Sequence, residues 1–263
     1  MTLRLLGGRP VGRVLRALVA VQHYRALLGV VRTCPTPATV LRRYLSKAGE
    51  YPCSIRVRTP IGQREARLFV RDDVLTFNEI FCREDYPAGP SVRVVVDIGS
   101  NIGLSALYFL TRNTHSRCYL FEPVPVNVER LQLNLAGLED RYVLSATAVA
   151  ATNGMVEFGI EATGRYGGIG LKRGDSIRVR CEHINDVLER VLQAERMVDV
   201  LKIDTEGQEL RTLAAIDPAL LARLGCIFVE LSPTERAESL EGFHRVRDGT
   251  TWRFYNKRQR NGT

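Results

Sequence analysis

Two textures of apolar and polar positions divide this chain, and the change falls at the turn-rich Tyr86-Pro87-Ala88-Gly89-Pro90. Downstream, short apolar runs alternate with stretches whose apolar residues recur every three or four positions, the marks of strands and helices respectively. Val92 to Val96 is a β-branched run that ends in Asp97-Ile98-Gly99-Ser100-Asn101-Ile102-Gly103, and Leu104 to Thr111 follows with helical spacing. Arg117 to Phe121 reads as the next strand, closed by Glu122-Pro123. A helix runs from Pro125 to Ala136 with proline at its favoured first turn, and a third strand is predicted over Tyr142 to Ala148. This alternation predicts an α/β fold with a mostly parallel sheet covered by helices on both faces.

After Ala150 the alternation breaks. A hairpin-like Gly154 to Ile160, the glycine-rich Gly164 to Gly170 and a strand-like Ile177 to Cys181 read as an insertion over one edge. It resumes with a helix from Asn185 to Ala194, the apolar strand Val198 to Ile203, a further helix opened by Asp204-Thr205-Glu206-Gly207, and the strand Cys226 to Leu231. Phe243 to Arg247 and Thr251 to Tyr255 alternate across Asp248-Gly249-Thr250, which predicts a terminal antiparallel hairpin. Upstream, residues 11–31 and 38–48 have helical spacing around the breakers Pro35 and Pro37. Ile55 to Thr59 and Ala66 to Val70 make a second hairpin, and Val74 to Phe81 a helix. The organisation expected is a helical and β-hairpin appendage over residues 1–90 and a main domain over residues 91–263.

Composition changes this picture little. Forty-five per cent hydrophobic and 25% charged residues over 263 positions are those of a folded chain with room for one large core. The net charge of +8 invites an anionic partner, but the basic residues form no aromatic-interleaved stripe, so no nucleic acid is expected. Cys34, Cys53, Cys82, Cys118, Cys181 and Cys226 stand singly, without metal-ligand or disulfide spacing, which fits reduced thiols and a cytoplasmic location. From Met1 to Val31, Arg4, Arg9, Arg13, Arg16 and Arg25 leave no uncharged run long enough to span a bilayer. A basic amphipathic helix in this region would either pack on the domain behind it or make peripheral contact with an anionic membrane.

The candidate chemistry sits at predicted strand ends, the usual ligand crevice of such sheets. Gly99 and Gly103 open a turn that backbone can bring close to a ligand. Asp97 ahead of them suits a cationic ligand better than a pyrophosphate, and the register lacks the G-x-G-x-x-G of a dinucleotide site. Glu122 ends the next strand 25 residues after Asp97, where an acid can accept ribose hydroxyls; Pro123 follows it towards the same ligand, and Asn127, a helical turn on, either reaches that ligand or lies on a solvated helix face. Asp204 and Glu206 end a buried strand and can orient an acceptor hydroxyl and take its proton, although the same stretch could cap the next helix. Glu230 converges from the adjacent strand. Together the three acids could hold a divalent cation, but no metal is predicted. His183 sits where a general base could stand, though a lone histidine near a strand end is more often structural; His115, His23 and His244 carry no spacing signal, and Tyr166 could close over a substrate as part of a lid or belong to a long surface loop.

In order and spacing, V-V-V-D-I-G-S-N-I-G, F-E-P and L-K-I-D-T-E-G-Q-E resemble the FkbM family of S-adenosylmethionine-dependent methyltransferases over about Val92 to Ile216. The resemblance implies a Rossmann-like class I methyltransferase fold, a mostly parallel seven-stranded sheet with a C-terminal antiparallel hairpin. It implies S-adenosylmethionine as cofactor, with Asp97, Gly99, Ser100, Asn101, Gly103 and Glu122 around it. Asp204 would lie near the transfer, and Glu79 and Tyr86, which precede the first strand, would cover the cofactor. It also implies O-methylation of a small-molecule, glycolipid or saccharide hydroxyl. One departure is Asn185, where the family often has the first acid of a Leu-Asp-Asp stretch. The rival readings are a non-catalytic module binding a membrane or partner, and a nicotinamide-dependent oxidoreductase.

Overall fold

The breakers at Pro35 and Pro37 separate helix α1 (Val21–Thr33) from helix α2 (Pro37–Ser46). A hairpin of β1 (Cys53–Thr59) and β2 (Gly62–Leu68) follows; its alternation turns Ile55, Val57, Ala66 and Leu68 inward. The helix predicted over Val74 to Phe81 is two pieces, α3 (Asp73–Phe77) and a π turn (Asn78–Cys82) in which the Arg83 amide donates five residues back to the Asn78 carbonyl at 2.8 Å. The protein is described by a computed structural model over residues 4–5, 9–10, 21–46, 49–161, 167–171 and 174–258, so Tyr166 and positions 11–20 of the first predicted helix lie outside the described residues. It divides into two units, Met1–Arg58 with Gln63–Glu84, and Thr59–Gly62 with Asp85–Thr263. The division falls six residues ahead of the expected boundary at 90. Asp85 and Tyr86 are tied into the second unit: the Arg253 guanidinium donates to the Asp85 carbonyl at 3.1 Å and the Tyr86 hydroxyl to Glu230 at 2.7 Å.

The second unit is built on a seven-stranded sheet. Its first strand, β3 (Val94–Ile98), is buried at every position, as a central strand covered on both faces must be. Helix α4 (Leu104–Leu110), strand β4 (Arg117–Phe121), helix α5 (Pro125–Asn134) and strand β5 (Tyr142–Ser145) follow in the predicted alternation. After the insertion come α6 (Ile184–Ala194), β10 (Val198–Ile203), α7 (Glu209–Ala214), α8 (Pro218–Leu221), β11 (Leu224–Glu230) and the hairpin β12 (Phe243–Asp248) and β13 (Thr251–Asn256). The strand order is β12-β13-β11-β10-β3-β4-β5, parallel from β11 to β5, with the hairpin antiparallel at one edge. Val94, Val96 and Ile98 pack with Ile184, Leu188 and Val191 of α6 on one face. On the other, Asp97 accepts a hydrogen bond from Ser105 of α4, so helices cover both faces.

The insertion is a sheet of its own. The run predicted as one strand over Tyr142 to Ala148 breaks at Ala146-Thr147: β5 stays in the main sheet, and β6 (Ala148–Ala150) starts the second. There β6 pairs parallel with β9 (Asp175–His183), which runs antiparallel to β7 (Gly154–Ile160), and β8 (Gly167–Ile169) adds to the edge of β7. Its apolar face closes on Val124, Ala148, Phe158, Val179 and Cys181. Among the described residues no helix is long and apolar enough to cross a membrane, and all six cysteines are free thiols.

Candidate active site

The turn after β3 is left-handed at Gly99 (φ 78°), Asn101 (φ 47°) and Gly103 (φ 83°). A Cβ on Gly99 would lie 1.8 Å from the Asp204 carbonyl, and one on Gly103 would lie 2.9 Å from Leu131. These glycines therefore admit neighbouring protein, including the chain leaving β10, whose Asp204 amide donates to the Ile98 carbonyl at 3.1 Å.

Glu122 is buried beside this turn. One of its carboxylate oxygens accepts from the Asn101 amide at 2.8 Å, and the other from the Val124 amide at 3.0 Å and the Asn127 side chain at 3.4 Å. Burial, opposed by those hydrogen bonds, raises its pKa to about 7. Gly99, Asn101, Glu122, Pro123 and Asn127 all line a cavity of about 570 Å³, walled further by Phe121, Val149, Phe158 and Ile169 and bounded at one end by Asp204, Thr205 and Glu206. Its lining is that of a small-molecule site, apolar walls with a few polar groups.

Asp97, Ser100 and Gly103, expected around the cofactor, are not among its lining residues. Asp97 is wholly buried, bonded to the Ser105 hydroxyl at 2.5 Å and to the Lys202 ammonium at 3.1 Å. Ser100 is consumed by the turn, donating to the Asp97 carbonyl at 2.8 Å and accepting from the Phe121 amide at 3.2 Å. Glu79 belongs to the N-terminal unit, where it faces Arg83 at 4.0 Å.

Sequence reasoning missed Lys202. Its ammonium, 3% exposed, lies 3.1 Å from Asp97, 3.3 Å from Asp204 and 3.0 Å from the Gly99 carbonyl, and 5.5 Å from the centre of the Tyr86 ring. Burial alone would lower its pKa, but the charges of Asp97, Asp204 and Glu230 more than offset that and hold it protonated. A signal was present: Lys202 and Asp97 are opposite charges at paired positions of adjacent apolar strands.

A second cavity, about 740 Å³, opens beyond the same strand ends. Asp204 and Glu206 line it as they line the first, and Glu209, Glu230, Ser232, Glu235 and Thr250 complete it. Asp204 is 29% exposed. Glu230 accepts from the Tyr86 hydroxyl at 2.7 Å and from Thr250 at 3.3 Å, so Tyr86 is tied to the acid. Glu209 is structural, since its carboxylate accepts from the Thr205 amide at 2.8 Å and from the Gly207 amide, and so ties the loop to the start of α7. Among the described residues no side chain caps α7, and Asp204 and Glu206 line the cavities. Among the described residues no three acid, histidine or cysteine side chains converge as metal ligands. His183 caps α6, accepting from the Asn185 amide at 3.2 Å, and Asn185 accepts from the Asp217 amide at 3.1 Å.

Comparison with known proteins identifies the family. The methyltransferase FkbM domain matches residues 97–251, more than half of the chain. A methyltransferase of Sordaria araneosa, sdnD, is 26% identical over 222 residues, which cover 67% of this chain and 84% of that protein. The AMB antimetabolite synthetase AmbE of Pseudomonas aeruginosa is 27% identical over 240 residues, 75% of this chain but 11% of the synthetase. The crystal structure of methyltransferase FkbM from Methylobacillus flagellatus aligns with 93% of this chain and 60% of its own, at 13% identity and a TM-score of 0.45. The glycine turn, the acid after β4 and the K-I-D-T-E-G-Q-E loop all fall within the matched span, and the chain belongs to the FkbM methyltransferase family.

Proposed function

We propose that this chain transfers a methyl group from S-adenosylmethionine to a hydroxyl oxygen of a small-molecule, glycolipid or saccharide acceptor. The observation that carries the reading is that two cavities share one wall, Asp204 and Glu206. The first fits the cofactor. Glu122 and Asn127 offer polar partners for ribose hydroxyls, and Phe121, Val149 and Phe158 offer apolar surface for a base. When bound, S-adenosylmethionine supplies a methyl group already activated on a sulfonium centre, which leaves the protein to position the acceptor and exclude water.

The second cavity suits the acceptor. Its carboxylates and hydroxyls are hydrogen-bond acceptors spaced around a groove, the complement of a ligand rich in hydroxyl groups. Asp204 takes the acceptor hydroxyl's proton, and the Lys202 ammonium 3.3 Å away orients it. Glu206 and Glu230 orient the acceptor.

A thermal-shift titration with S-adenosylmethionine, S-adenosylhomocysteine and NADH in parallel tests the donor. Stabilisation by the two adenosyl ligands alone, about 2.7 kcal/mol at a hundredfold excess over Kd, is the expected result. Stabilisation by NADH favours the oxidoreductase reading, and no response to any of the three favours a non-catalytic module.

A further inference from the structure

The charge of this chain is not spread along it. Residues 1–84 hold 15 of the 37 basic and 6 of the 29 acidic residues, a net of +9, which leaves 22 against 23, a net of −1, for all the rest. The +8 of the whole chain is a property of the N-terminal unit.

Within that unit α1 is apolar on two opposite sides. Gly29 and Val30 face inward, and a Cβ on Gly29 would lie 2.0 Å from the Cys82 carbonyl, so this side is pressed onto the π turn. At about 100° per residue, Tyr24, Leu27, Leu28 and Val31 fall on the other side within an arc of about 100°. Their exposures are 51%, 40%, 56% and 56%, which makes a continuous apolar stripe in solvent. Arg25 and Arg32 are exposed along its border, and with Leu28, Arg83, which faces Glu79, and Glu84 they line a groove of about 820 Å³, three cations against one acid.

We propose that this face of α1 docks the protein on an anionic lipid bilayer, with Leu27, Leu28 and Val31 entering the headgroup boundary and the arginine groove taking lipid phosphates. An in-plane membrane helix needs both elements, an apolar face and flanking cations, and the charge complementarity is specific to this unit. A second copy of the chain fits less well: four side chains fall far short of the 20 to 30 residues per side of a stable protein interface, and two such faces would bring like charges together.

The test is vesicle flotation of the full chain with phosphatidylcholine vesicles, with and without about one-third phosphatidylglycerol, at low and high salt. Binding to the anionic vesicles alone, weakened by salt, is expected. Leu27→Ser with Leu28→Ser should weaken it roughly a hundredfold, and Arg25→Glu with Arg32→Glu at least about tenfold. All four positions are exposed, so melting temperatures should match the parent. No binding to anionic vesicles, equal binding to neutral ones, or binding unchanged by the leucine pair overturns the proposal. So does a dimer in light scattering that the leucine pair dissolves while vesicle binding stays absent.

Discussion

The acids at the ends of β3 and β4 and those at the ends of β10 and β11 look alike in sequence and are opposites in structure. Asp97 and Glu122 are at most 4% exposed, and protein groups already occupy their oxygens. Asp204 and Glu230 are part-exposed on the acid-lined cavity, and Asp204 also faces the first. A buried carboxylate must be compensated where it stands, so both fix the turn, though Glu122 also lines the first cavity with lone-pair capacity left for a ligand; a half-exposed one is compensated less and faces its ligand more openly. Lys202 joins the two sets, with Asp97 behind it and Asp204 in front.

Substitutions should separate the two roles. Lys202→Met strands two carboxylates around a buried apolar side chain and should cost about 3–5 kcal/mol of stability, measured by denaturant unfolding. Asp204→Asn, one contact away, should cost under about 1 kcal/mol because the site is part-exposed, yet lower turnover about 10²- to 10⁴-fold with cofactor affinity nearly unchanged. Comparable turnover in Asp204→Asn would remove it from proton transfer.

Glu122 sharpens the contrast through pH. Its pKa is raised from 4.5 to about 7 in the folded chain, so the native state holds a proton that the unfolded state has lost between those values. Stability should therefore fall as pH rises through that window, by on the order of 3 kcal/mol, and Glu122→Gln should abolish the slope. If the carboxylate accepts ribose hydroxyls, affinity for S-adenosylhomocysteine should rise over the same interval in the parent and not in Glu122→Gln, a difference that calorimetry reads directly. The smallest effect expected is that of Tyr86→Phe, which removes the donor to Glu230 and should cost about 1 kcal/mol.

Much of this was legible in the chain. The strands from Val94 to Phe121, the helix at Pro125 and the terminal hairpin follow from periodicity and turn residues, because parallel strands and amphipathic helices write their burial into spacing. Asp204, Glu206 and Glu230 could be placed near a cavity because the carboxyl ends of parallel strands are where such sheets leave a crevice. What lay outside reach was direction and depth. Nothing in spacing says that Asp97 turns to Ser105 and Lys202, that Glu209 rather than Asp204 closes the loop, or that Tyr142 to Ala150 changes sheet at Thr147. Those depend on which partner a side chain meets across the fold.

The most direct test of the central reading is a crystal structure of the chain with S-adenosylhomocysteine. The account predicts the nucleoside in the cavity of Glu122, Asn127, Phe121 and Val149, with the sulfur end towards Asp204 and Glu206. A ligand seated away from that cavity, or absent from it at saturating concentration, would contradict the account.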